Sequence, residues 1–125
     1  MTKRNNYLSF KELIDFHKIK KLYHFTDREN LKSIIDNGGL YSWADCEAKG
    51  IKISKPGGGD LSKSLDRRDN LQNYVRVSFT AEHPMMYVAM NDGRITNPVV
   101  LEIDPEVIYD ANTIFADRYG LRYGR

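Results

Sequence analysis

A histidine and a threonine stand at the end of a short β-rich run, LYHFT, immediately ahead of DRENLKSIIDNGGL. Alternation along an extended strand puts Tyr23 and Phe25 on one face and His24 and Thr26 on the other. The second face therefore offers an imidazole and a hydroxyl beside the start of a helix. Unpaired N–H groups and the positive dipole end favour an anionic or hydroxyl-rich ligand there. Downstream, Arg67 and Arg68 follow a glycine-rich stretch, and guanidinium groups hold phosphate oxygens bidentately. Each feature has a plainer reading. His24 could be satisfied at a sheet edge, and the arginines could form a solvated basic turn.

Other candidates are weaker. The stretch GGGDLSKS supplies Gly57, Lys63 and Ser64 at three fixed positions of a phosphate-cradling loop, but Ser62 replaces the glycine required before the lysine. The preceding IKISKP is a poor buried strand. These glycines read as a loop tip. His17, His24 and His83 lie in three separate elements without the i, i+4 pairing of a metal site. His17 reads as solvated, and His83 as bonded to its local backbone.

The elements that would position these groups follow from patterning. Ser9 with Glu12 forms a capping box that opens a short helix with Phe10, Leu13 and Ile14 on one face. Thr26 with Glu29 forms a second box. The helix after it carries Leu31, Ile34 and Ile35 as a buried stripe and closes at Gly38-Gly39. SWADCEAKG reads as one helical turn or two, and LSKSLDRRDNLQ as a short helix. In YVRVSF, Val75, Val77 and Phe79 alternate with polar neighbours as in a half-buried strand. AEHPMMYVAM predicts a short helix with Pro84 in its first turn. NPVVLEID and TIFAD read as further strands. This order is α+β, without the regular βαβ alternation of a doubly wound sheet.

The chain has 125 residues, 41% hydrophobic and 29% charged, as expected for a single globular domain spanning 1–125. A net charge of +2 does not by itself announce a nucleic-acid binder. The single cysteine, Cys46, excludes an internal disulfide and fits a reducing cytoplasm. No stretch approaches the roughly 20 apolar residues of a membrane span, and MTKRNNYLSF lacks the apolar core of a secretory signal.

Four blocks occur here in the same order as in the DarT family: LYHFTDRENLKSIIDNGGL, SLDRRDNLQNYVRVSFTAEHPMMYVA, PVVLEID and TIFADR. From about Leu22 to Arg118 the chain resembles these bacterial toxins, which are similar to poly(ADP-ribose) polymerases and ADP-ribosylate thymidine in single-stranded DNA. The resemblance implies a PARP-like mixed antiparallel sheet with short flanking helices, and NAD as the substrate that donates ADP-ribose, with no metal. It implies that His24, Phe25 and Thr26 line the nicotinamide and ribose end of NAD, with Ser33 and Tyr41 as further wall positions. The family's essential arginine falls on Arg67 or Arg68. Met85 and Met86 are read as core of a short helix behind the cofactor. Single-stranded DNA and a macrodomain antitoxin are the implied partners.

Transfer from NAD breaks the nicotinamide–ribose bond through an oxocarbenium-like state, which calls for a nearby carboxylate. In the family that glutamate lies in a strand beyond the FADR block, and here seven residues follow Arg118. Glu82, Glu102 and Glu106 do not correspond to it. The expectation is the N-terminal part of a DarT-type domain, its C-terminal part missing, with little activity alone. The alternative is a degenerate, non-catalytic NAD- or DNA-binding module.

Overall fold

A computed structural model describes residues 2–53, 67–68, 70–118 and 122–124, with side chains through Phe115. The glycine-rich stretch with Gly57, Lys63 and Ser64, and the start of the helix expected over LSKSLDRRDNLQ, lie outside the described residues. The architecture is α+β. The chain divides into two compact units, one formed by residues 1–22 and 102–125, the other by residues 23–101.

In the first unit, α1 spans Tyr7–Phe16. Asn6 occupies its N-cap without a side-chain cap bond, so Ser9 lies inside the helix and the expected Ser9–Glu12 box does not form. Ile14, Leu22 and Ile108 are the buried centre, with Phe10, Ile19, Ile103, Tyr109 and Phe115 packed around them. Burying aliphatic side chains of this size stabilises by about 1.5–3 kcal/mol each. Leu13 belongs to the expected apolar face but is 53% exposed. The Arg4 guanidinium lies 4.5 Å from the Phe10 ring centre and 5.3 Å from that of Phe115. It also donates to the carbonyls of Asp110 and Thr113. Strands β3 (Phe115–Arg118) and β4 (Arg122–Gly124) pair antiparallel.

The second unit carries the candidate site. Strand β1 (Leu22–Asp27) pairs with β2 (Pro98–Ile103), the two strands lying where LYHFT and NPVVLEID are expected to form them. A 3-10 turn, Arg28–Asn30, leads into α2 (Leu31–Asp36). Its capping group is Asp27, which accepts from the Glu29 N–H at 2.9 Å. Thr26, expected to do this, instead accepts from Asn30 Nδ2 at 3.0 Å. The stripe predicted on α2 is also incomplete. Leu31 and Ile34 are half-buried, but Ile35 is 75% exposed. A six-residue helix turns too few times to bury three positions. Helix α3 (Trp43–Lys49) is capped by Ser42, whose side chain accepts from Asp45 N–H, and ends at Gly50 in the left-handed region (φ 71°).

Helix α4 spans Pro84–Asn91 with proline in its first turn, as expected. Met86 and Ala89 are buried, together with Leu71 and Ile95. Met85, expected in the core, is 37% exposed. The strand expected over YVRVSF does not form. Tyr74–Phe79 makes only an isolated bridge, Tyr23 to Ser78, and Val77 and Phe79 are exposed. Alternating residues suit a pleated strand, but without a partner along its length there is no ladder to define one.

Candidate functional site

Strand β1 places its middle residue first. His24 Nδ1 lies 2.7 Å from the Arg76 carbonyl oxygen. A carbonyl can only accept, so Nδ1 carries the proton and Nε2 keeps its lone pair in the neutral ring. Burial lowers the His24 pKa from its ordinary 6.5, against the raising effect of the Arg76 carbonyl. The geometry yields a neutral imidazole held in one orientation, with Nε2 able to accept from a hydroxyl.

Its neighbours are used differently. Phe25 faces His83, the rings stacked at 6.1 Å and 23°. His83 caps α4, its Nδ1 accepting from Met85 N–H at 3.1 Å, which leaves Nε2 as the protonated nitrogen of the neutral ring. This is the local backbone bond expected of His83. Burial first, and then the Arg76 charge, hold the His83 pKa down. Thr26 is buried, and its hydroxyl already accepts from Asn30. That hydroxyl retains one proton to donate.

The next residue, Asp27, has no solvent-exposed surface. One carboxylate oxygen accepts from Glu29 N–H, and the other from Thr96 N–H at 2.8 Å and Asn97 N–H at 3.1 Å. The Thr96 hydroxyl lies at 3.4 Å. These bonds, the Glu29 one first, lower its pKa from 3.8 to about 2 despite burial. Asp27, not the expected Thr26, is the cap, and aspartate is as good an N-cap as threonine and adds a charge.

The remaining predicted residues lie around α2 and α3. A groove of about 410 Å³ runs between the end of α2 and the end of α3, lined by residues that include Lys32, Ser33, Asp36, Lys49 and Lys52. Ser33 Oγ accepts from Asn37 Nδ2 at 3.3 Å. Tyr41 does not line this groove, but the Lys49 ammonium sits 5.0 Å from its ring centre. Arg67 and Arg68 are helical and exposed, and the Arg67 guanidinium lies 4.7 Å from the Trp43 ring centre. The groove thus takes in Ser33 alone among the residues expected at the cofactor. Cys46, on the inner side of α3, is buried, and burial together with Asp45 pushes its thiol pKa up. Among the described residues no group of three His, Cys, Asp or Glu could hold a metal ion. No helix described is long and apolar enough to cross a membrane.

The family model for DarT, the ssDNA thymidine ADP-ribosyltransferase, matches residues 23–121, and the chain belongs to that family. Comparison with curated proteins and with solved structures gave no match.

Proposed function

We propose that the chain provides the NAD pocket of a DarT-type, PARP-like ADP-ribosyltransferase domain that modifies thymidine in single-stranded DNA. The supporting observation is His24, locked with Nδ1–H on the Arg76 carbonyl and Nε2 free to accept. In this reading Nε2 accepts from a ribose hydroxyl of NAD, while the Thr26 hydroxyl donates. Phe25, supported by His83, forms an apolar wall for the nicotinamide ring. Ser33 and Tyr41 extend the wall, and one of Arg67 and Arg68 holds the pyrophosphate.

In the transfer, the ribose–nicotinamide bond breaks and its electron pair returns to the pyridinium nitrogen, releasing neutral nicotinamide. The thymidine acceptor attacks the ribose carbon and gives up a proton. A carboxylate must steady that developing charge. Asp27 is committed to backbone donors, and Glu102 is paired with Lys21. Neither carboxylate is therefore assigned that role, and the family reading implies a macrodomain antitoxin as a partner.

Calorimetric titration of NAD into wild type and His24→Ala tests the pocket. The expected result is a loss of affinity of about tenfold or more, the worth of one good hydrogen bond; equal heats would remove His24 from the site. Alanine variants of Arg67 and Arg68 should differ, one costing about 1.5–3 kcal/mol in binding as a lost charge-assisted contact does. Two equally mild effects would restore the solvated turn. Mass spectrometry of a thymidine-containing oligonucleotide incubated with NAD should show little added ADP-ribose from residues 1–125. Abundant product would make Glu102 the first residue to mutate.

A further inference from the structure

Apart from Ser33, the groove between α2 and α3 has a chemistry that the NAD reading leaves unused. Both helices turn their C-terminal ends toward it, through Asp36 and Asn37 on one side and Lys49 and Gly50 on the other. Helix C-terminal carbonyls carry partial negative charge. The backbone N–H groups of Gly50 and Ile51 are spent inward, on the Glu47 and Cys46 carbonyls. The groove centre therefore lacks the converging donors that a compact dianion such as pyrophosphate requires.

Its edge is different. Lys32 is held by Asp36, and although Glu29 also lines the groove, no ion pair among the described residues engages Lys49 or Lys52. Lysine is a mobile point charge, suited to one phosphate at a time. Beside them the Tyr41 ring is 38% exposed, with Lys49 over it. A basic track flanked by an exposed aromatic ring is the usual recipe for gripping single strands, because every base has a face to stack.

We propose that this groove is the track for the phosphodiester backbone of the single-stranded DNA substrate. Lys49 and Lys52 contact successive phosphates, and Tyr41, which bounds the NAD wall on one side, offers its exposed part to a base. The proposal rests on the single-stranded DNA reading above and assigns that substrate a place on the molecule.

Fluorescence anisotropy with a labelled thymidine-containing oligonucleotide, run across a salt series on the 125-residue chain, tests it. Each phosphate contact contributes about 0.7 to the slope of log affinity against log salt for single strands, so K49A/K52A should lower the slope by roughly 1.4. K49R/K52R, which keeps both charges, should retain the wild-type slope. Calorimetric NAD affinity should be the same in all three proteins. An unchanged slope in K49A/K52A, with wild type binding the oligonucleotide, overturns the groove assignment and leaves the substrate reading intact. A fall in NAD affinity with oligonucleotide binding unchanged overturns it in favour of a pyrophosphate site. Wild type that fails to bind the oligonucleotide overturns the groove together with the substrate reading on which it rests.

Discussion

The turn that follows β1 and the segment Tyr74–Phe79 are both attached to the same strand, by unlike means. At the turn, the Asp27 carboxylate gathers the N–H groups of Glu29, Thr96 and Asn97 into a solvent-free knot. Along Tyr74–Phe79 the attachment is the paired backbone bonds of Tyr23 and Ser78, both 2.8 Å, and the His24 ring on the Arg76 carbonyl. One side chain thus holds two distant pieces of backbone where a longer sheet would otherwise be needed. The other region has no such anchor, and Val77 and Phe79 stay exposed to water. Charge-assisted bonds to backbone donors are about twice as strong as neutral ones, so the strand's last residue is its firmest and its middle is the adaptable part.

Substituting Asp27 by alanine should break the comparison most severely. It leaves three backbone donors unanswered in a buried place, and thermal melts followed by circular dichroism should show a fall of roughly 10 °C or more. A fall no larger than that of His24→Ala would mean that the two attachments are equivalent. The same carboxylate sets an acid limit. Its pKa is 3.8 when unfolded and about 2 when folded, so its stabilisation is complete above the first value and is lost as pH falls through the second. Urea titrations at points across that interval should show stability dropping in wild type, and a flatter response in Asp27→Asn.

A finer cut comes from His24→Asn, whose amide N–H can replace the Nδ1 donor while the Nε2 acceptor is gone. Stability should stay near wild type, whereas His24→Ala should lose about 0.5–1.5 kcal/mol for the missing bond. NAD affinity should fall in both variants. If asparagine binds NAD as histidine does, the ring serves only to hold Arg76. Because burial lowers the His24 pKa below 6.5, its contribution to stability is full above that value and declines as pH falls through the lower folded one. Wild-type NAD heats should therefore hold steady from about pH 8 down to 6.5.

The smallest effect is expected from Phe79→Ser. Phe79 is 59% exposed, and exposed substitutions of this kind usually change stability by no more than about 0.5 kcal/mol. A loss several times larger in urea unfolding would show that Tyr74–Phe79 is packed as a true strand after all, which would bring the two regions level.

What the sequence made legible tracks the range of the forces involved. Strand β1, helices α3 and α4, and β2 rest on local signals: a β-rich run, a serine cap closed by glycine, a proline in the first turn, an apolar run after an Asn-Pro pair. The failures needed distant partners. Thr26 lost the cap because Asn30 takes its oxygen, and because Asp27 alone reaches both Glu29 and the Thr96–Asn97 backbone some seventy residues on. YVRVSF has the pattern of a strand, yet pattern cannot supply a neighbour. Of the candidate site, His24 was identifiable as the polar residue of an alternating run. Its tautomer was not, because that depends on the Arg76 carbonyl. The Phe25–His83 contact likewise joins residues that no local rule connects.

The buried thiol of Cys46 gives the molecule its own gauge. Its Sγ lies 3.8 Å from the Tyr41 carbonyl, on the side of α3 turned away from water, and it is the chain's single cysteine. A thiol attacks an alkylating reagent as thiolate, and this one is both hidden and held protonated. Its labelling rate under native conditions therefore counts how often α3 lifts from its seat. Timed mass spectra with a maleimide should show slow, single-site modification, slower still when a bound ligand clamps the helix that carries Trp43 and Lys49.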